Sequence, residues 1–217
     1  MNLEQARFNM VEQQIRPWEV LDQAVLDLLY AVPREEFVPA AFRQLAFADM
    51  EIPIGEGEAM MSPKLEARLL QALALRKTDR VLEVGTGSGY LTALLARCAA
   101  HVYSLEIRPA LAEFGRENLA RHGADNVALE IGDGARGDAK HAPYDAIVLT
   151  GSTPVLPAAL KAQLAPGGRL FAVVGEAPVM LASLFTCSAP GAYGSVALFD
   201  TVLAPLVVAE HPQRFRF

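Results

Sequence analysis

Nine residues, Val81-Leu82-Glu83-Val84-Gly85-Thr86-Gly87-Ser88-Gly89, constrain the fold of this chain more than any other stretch. An apolar run that stops at three alternate glycines reads as a buried strand breaking into a tight turn. Glycine reaches positive φ at little steric cost and leaves bare backbone against which a nucleotide-like ligand can lie. From Arg80 onward, strand-length apolar runs alternate with helix-period segments. Strands are expected at 80–84, 102–106, 127–131, 145–150 and 169–174, and helices near 89–99, 109–121 and 157–164. Such alternation implies a mostly parallel sheet covered on both faces. Leu181 to Cys187 and Val196 to Leu203, joined across Pro190-Gly191-Ala192-Tyr193-Gly194, add an expected antiparallel hairpin. The expected architecture is therefore α/β: a Rossmann-like, doubly wound sheet of seven strands.

Upstream of Arg80 the pattern is helical. Phe8, Val11 and Ile15, then Leu21, Val25, Leu28 and Leu29, recur at helical spacing with Pro17 between them, so two short helices are expected. Val32-Pro33-Arg34-Glu35-Glu36-Phe37-Val38-Pro39 has room for one helical turn between prolines, with Phe37 docked on the core. Ile52-Pro53-Ile54-Gly55-Glu56-Gly57-Glu58 reads as an irregular loop. After Ser62, Pro63 opens a strong helix carrying Leu65, Leu69, Leu70 and Leu73 on one face.

A chain of 217 residues suits one core, so a single domain over 1–217 is expected, with a helical and loop extension (1–60) on an α/β core (61–217). The net charge of −6 offers no basic footprint for nucleic acid. No apolar run approaches the roughly 20 residues that span a bilayer. With only Cys98 and Cys187, and no leader-like opening, a soluble protein of the reducing cytoplasm is expected. His101, His122, His141 and His211 have no metal-ligand spacing, and no metal site is expected.

Three features downstream of Arg80 belong together. The second expected strand ends in Glu106, 21 positions after Gly85, where a carboxylate accepts the hydroxyls of a ribose. The third runs into Gly132-Asp133-Gly134, which sets Asp133 on the same edge of the sheet, within reach of an exocyclic amine of adenine. Either acid alone is more often a solvated loop residue or a helix cap. A dinucleotide fingerprint needs a third glycine at position 90, where Tyr90 stands. G-x-G-x-G suits S-adenosyl-L-methionine better, since its methionine moiety needs no pyrophosphate cradle. The expected cofactor-binding residues are Glu83, Gly85, Thr86, Gly87, Ser88, Gly89, Glu106, Asp133 and Gly134. Glu83 either organises the loop, contacts the ligand's amino group through water, or is simply a satisfied buried acid.

Val81 to Gly89, Glu106 and Gly132-Asp133-Gly134 resemble the successive motifs of class I S-adenosylmethionine-dependent methyltransferases. Val32 to Val38, Ile52 to Gly55, Leu82 to Tyr90, Tyr144 to Val148 and Leu164 to Gly168 resemble, more narrowly, the protein-L-isoaspartate O-methyltransferase family, from about residue 10 to about residue 208. The resemblance implies methyl transfer from S-adenosyl-L-methionine to the carboxylate of an isoaspartyl residue in damaged protein. A carboxylate with a pKa near 4 is already a nucleophile at neutral pH, so orientation and desolvation suffice and no catalytic histidine is required.

One segment departs from the pattern. Where the family reads roughly Gln-Thr-Ile-Ser-x-Pro, anchoring on Pro63 puts Glu58, Ala59, Met60 and Met61 at the first four positions, and the hydroxyl the family places near the methyl becomes Met61. Ser62 is either the N-cap of the next helix or a shifted hydroxyl reaching the acceptor, so Ser62 and Met61 are the candidate catalytic positions. An acid at Glu58, if it faced the pocket, would repel a carboxylate. Three readings stay open: an isoaspartyl methyltransferase; a same-fold enzyme for another acceptor, such as an unidentified small molecule with Met60, Met61 and Trp18 lining its pocket; and a cofactor-binding protein with little catalysis. Thr150-Gly151-Ser152-Thr153 could add hydroxyls to the pocket.

Overall fold

In the computed structural model, which describes residues 2–209, His211 lies outside the described residues. Five strands run parallel: β3 (Arg80–Val84), β4 (His101–Glu106), β5 (Val127–Ile131), β6 (Tyr144–Leu149) and β7 (Leu164–Glu176). β8 (Val179–Ala189) turns back against β7, and β9 (Ala192–Asp200) turns back against β8. The sheet order is β5-β4-β3-β6-β7-β8-β9, so β3 lies between the strand that follows it and the one reached by crossing over. Strand order reverses there, which opens a crevice at the carboxyl ends.

β3 shows why the sheet is buried. Val81 points into one apolar cluster and Leu82 and Val84 into the other, and all three are buried. The larger cluster joins the helices α2 (Gln23–Ala31), α3 (Pro63–Leu73), α4 (Tyr90–Cys98) and α5 (Pro109–Arg121) to the sheet through residues such as Leu26, Leu69, Leu94 and Leu119. The other face carries the short α6 (Ala158–Ala162), whose Leu160 is fully buried, together with loop segments. Helices therefore cover both faces, but unequally.

The N-terminal helix α1 (Leu3–Asn9) runs on through a π-helical stretch, Met10–Ile15, into a 3-10 turn, Arg16–Trp18. A 3-10 turn at Arg34–Glu36 sets the fully buried Phe37 edge-on to Tyr90, with ring centroids 5.5 Å apart.

One expectation is corrected. Ile52 to Glu58 is an ordered hairpin rather than an irregular loop: β1 (Ile52–Gly55) pairs antiparallel with β2 (Glu58–Met60). Glu56 and Gly57 both have positive φ, 55° and 80°, which suits a two-residue turn matching strand twist. Pro53 is tolerated because β1 has only one neighbour. The C-terminal hairpin turns more tightly than expected, at Pro190-Gly191, so Gly194 falls inside β9.

Candidate active site

A trough runs along the carboxyl ends of β3 to β6, enclosing about 980 Å³ including its open mouth. That is enough for a nucleoside-sized ligand and part of a second molecule. Its floor is Gly85 to Ser88. One wall carries Leu105, Glu106, Gly132, Asp133 and Gly134; the opposite end is closed by Ile54, Glu58 to Met61 and Glu66.

The glycine loop is held from behind. The fully buried Glu83 accepts from the hydroxyls of Thr92 and Ser104, each at 2.6 Å through Oε2, and the Thr86 hydroxyl lies 2.6 Å from Ser104. With Ser104's single proton directed at Glu83, Thr86 donates to Ser104, and a hydroxyl relay links the strand acid to the loop. Burial raises the Glu83 carboxyl to about 8, partly countered by those two hydroxyls. Glu83 lies behind the trough and not on its lining, and its Oε1 has no hydrogen-bond partner among the described residues. Gly89 also lies outside the lining; at φ 81° it caps the start of α4.

Glu106 accepts from the backbone N–H of Gly87 at 2.9 Å and of Arg108 at 3.0 Å, one to each oxygen. Each oxygen keeps a lone pair free. Asp133 Oδ1 accepts from the Ala135 N–H at 2.9 Å, closing a turn that aims the carboxylate along the trough. Thr150 sends its hydroxyl to the carbonyls of Val84 and Gly85, at 2.8 and 2.9 Å. Thr150 and Gly151 line the trough. Ser152 and Thr153 do not, their hydroxyls going to the carbonyls of Leu203 and Val155.

At the hairpin end, Met60 and Met61 line the trough and Ser62 does not. Ser62 occupies the N-cap position of α3, but its side chain makes no capping hydrogen bond. Trp18 is also outside the lining, packed edge-on against Phe199 with Lys64 over its ring. Three features here escape a reading of the sequence: the Arg34–Glu66 pair, the Arg108 partner of Glu58, and the wall from Leu203 to Val208. Arg34, only 1% exposed, pairs with Glu66, donates to the carbonyls of Ala46 (2.8 Å) and Met61 (2.5 Å), and lies 4.9 Å from the centroid of Tyr90. Burial raises the Glu66 carboxyl, and Arg34 pulls it back. Glu58 does face the trough, yet its charge is met by Arg108, which holds its carboxylate at 2.7 and 2.8 Å. The segment Leu203 to Val208 forms a third wall. Arg34 stands inside a motif that carries the family resemblance; nothing in the local sequence joins it to Glu66. Among the described residues no cluster of His, Cys, Asp or Glu could hold a metal ion.

Comparison with known proteins agrees with this geometry. The family model for protein-L-isoaspartate(D-aspartate) O-methyltransferase matches residues 5–197. The chain belongs to this family. A relative named protein-L-isoaspartate O-methyltransferase, from Methanoculleus marisnigri, is 47% identical over 169 residues, covering 78% of this chain and 77% of its own. Another, protein-L-isoaspartate O-methyltransferase 2 from Pelobacter propionicus, is 42% identical over 211 residues, covering 96% and 93%. A solved protein-L-isoaspartate O-methyltransferase superposes with a TM-score of 0.80 at 26% identity, over 92% of this chain and 65% of that one. A Plasmodium falciparum structure, described as a putative member of the family in complex with S-adenosyl-L-homocysteine, shares the fold at a TM-score of 0.78 and 22% identity, over 95% and 98%. The sheet order and the C-terminal antiparallel strands are thus those of the isoaspartate methyltransferase fold.

Proposed function

We propose that this protein is an S-adenosyl-L-methionine-dependent O-methyltransferase that esterifies the carboxylate of isoaspartyl residues in damaged proteins and peptides. The observation that carries this reading is the pair of carboxylates at adjacent strand ends, Glu106 and Asp133, facing a glycine loop in a trough that continues to the β1–β2 hairpin. Family membership gives the reaction.

The residues fit the cofactor. Gly87 and Gly134 lie on the trough lining, Glu106 has lone pairs for ribose hydroxyls, and Asp133 offers an acceptor for an adenine amine. Gly85, Thr86, Ser88 and Gly89 shape the loop, and Glu83 stiffens it from behind. The cofactor supplies an electrophilic methyl group on a sulfonium. With the cofactor bound, the apolar walls between the hairpin and the loop would hold an acceptor carboxylate beside that methyl. Attack joins a negative and a positive centre and leaves two neutral products, so a less polar setting lowers the barrier. Met60, Met61, Leu203 and Leu206 supply that setting. Met61, at the family's hydroxyl position, is part of the trough wall, and Ser62 stands outside it at the N-cap position of α3. No general base is needed.

We also infer one domain over 1–217, because the larger cluster holds Met10, Ile15 and Leu26 together with Val81 and Phe171. Both cysteines are free, and no described helix is long and apolar enough to cross a membrane, which supports a cytoplasmic setting.

The test is methyl incorporation from labelled S-adenosyl-L-methionine into an isoaspartyl peptide beside its aspartyl twin, with cofactor binding followed by calorimetry. Transfer to the isoaspartyl peptide alone is expected, and Asp133→Ala weakens cofactor binding at least tenfold. Cofactor binding without transfer to either peptide excludes the isoaspartyl acceptor and points to a different one.

A further inference from the structure

Arg108 makes two connections that meet at the mouth of the trough. Its backbone N–H donates to Glu106 Oε1 at 3.0 Å, so it helps hold the carboxylate assigned to the ribose. Its guanidinium reaches across to Glu58 on β2, with Nε at 2.8 Å and Nη2 at 2.7 Å from Oε1. One residue thus touches both the cofactor wall and the hairpin that closes the acceptor end.

The hairpin needs such a tether. It is a two-stranded sheet of its own, unpaired with the main sheet, and two strands alone are marginal in water. Besides Arg34, which holds the Met61 carbonyl just after β2, its hold is apolar: Ile52, Ile54 and Met60 are buried, and Ile54 packs over the glycine loop, its Cδ1 only 3.0 Å from where a side chain on Gly87 would begin. The hairpin thus meets the cofactor wall at two places, through Ile54 over Gly87 and through Glu58 and Arg108 beside Glu106. The ion pair itself is open to solvent, with 32% of the Arg108 side chain and 29% of the Glu58 side chain exposed. Such a pair is worth little, so it can break and re-form during turnover.

We propose that Arg108 is a positioning residue for methyl transfer: through Glu58 it couples occupancy of the cofactor wall to the placement of the acceptor hairpin, so that cofactor and acceptor strengthen each other's binding. The pair also removes the repulsion that an unpaired Glu58 would exert on an incoming carboxylate. Coupling of this kind is reciprocal, and its size is bounded by the strength of the link, which for a solvent-exposed ion pair allows about a two- to fivefold change in affinity.

This inference rests on the isoaspartyl methyltransferase reading and is tested on the full chain. Calorimetry gives the affinity for S-adenosyl-L-homocysteine with and without a saturating isoaspartyl peptide, in the parent, Glu58→Gln, Arg108→Gln, the double variant and Arg108→Lys. The parent is expected to bind about two- to fivefold more tightly when the peptide is present. Each Gln variant and the double variant lose that enhancement to the same extent, because either change breaks the one link, and Arg108→Lys keeps part of it. A merely structural role would instead lower affinity equally with and without peptide. Enhancement that survives in either Gln variant, losses that add in the double variant, or a parent that binds both ligands independently each overturn the coupling while leaving the functional reading intact. A parent that binds no S-adenosyl-L-homocysteine overturns both.

Discussion

Arg34→Met tests the deepest electrostatic commitment of this fold. Arg34 is 1% exposed and so is its partner Glu66, and the guanidinium also satisfies the carbonyls of Ala46 and Met61. Removing the cation from a buried pair costs about 3–5 kcal/mol, because a carboxylate is left without compensation. Two carbonyls lose their donors as well, at about 1–3 kcal/mol each where water cannot reach them. Against a total stability of about 5–15 kcal/mol, the single variant is expected to be barely folded. Glu66→Leu in the same background removes the stranded charge. It is expected to restore about 3 kcal/mol, leaving the carbonyl losses in place. Urea unfolding of the parent, both single variants and the double variant closes the cycle. If Arg34→Met with Glu66→Leu is no more stable than Arg34→Met alone, the pair does not hold this end of the molecule together and the reasoning fails.

Three further outcomes follow from the same structure. The folded-state pKa of Glu83, about 8, lies above its ordinary value of 4.5, so the stability it lends is full below about 4.5 and is lost as pH rises through about 8; Glu83→Gln should flatten the fall of Tm between pH 5 and pH 9, and parallel Tm curves refute the burial argument. Gly85→Ala places a Cβ 2.1 Å from the Thr150 hydroxyl at a φ of 96°, whereas Gly167→Ala meets nothing within 4 Å at a φ of 80°. Denaturant unfolding should show a loss of about 2–4 kcal/mol for the first and about 1 kcal/mol for the second, and equal losses exclude the Thr150 clash. Met61→Ser puts a hydroxyl on the lining of the acceptor end, and the KM for an isoaspartyl peptide should fall about fivefold in steady-state assays, as one added hydrogen bond of about 1 kcal/mol implies; an unchanged KM means the hydroxyl is dispensable here.

The sheet is legible in the sequence because its cause is local. Val81, Leu82 and Val84 put apolar side chains on both faces of β3, as a strand covered on both sides must, and four of the five parallel strands lie within one residue of their expected bounds, while β7 starts five residues early at Leu164. Elements governed by turn chemistry are less legible. Glu56-Gly57 makes a hairpin because both residues take positive φ, but a glutamate there gives little warning, and the flanking Pro53 and Gly55 read as breakers. The C-terminal hairpin shifts for a similar reason, since Gly191 alone supplies the positive φ and Gly194 lies flat within its strand. Among the expected cofactor residues, those at strand ends fall on the trough. Glu83 and Gly89 stand behind it, because a strand interior and a helix start face away from the crevice.

The acceptor end was harder to read for a different reason, which concerns charge rather than backbone. Sequence places Glu58 in a pocket meant for a carboxylate, an apparent conflict, and says nothing of Glu66 beside it. The structure resolves both through arginines distant in the chain: Arg108 is 50 positions from Glu58, and Arg34 is 32 from Glu66. Glu58 and Glu66 each bring their own counter-charge although no cation lines this end, whereas Glu51, also on the lining, pairs with no described cation. Here Arg34 donates to the Met61 carbonyl and Arg108 pairs with Glu58 on the hairpin, so the loop lacking the family's hydroxyl is held by one hydrogen bond and one ion pair. The loop that lacks the expected hydroxyl is thus pinned at both ends, Glu58 by Arg108 and Met61 by Arg34. Alignment of the carboxylate with the methyl, which is what this chemistry requires, depends on that pinned loop more than on any single side chain.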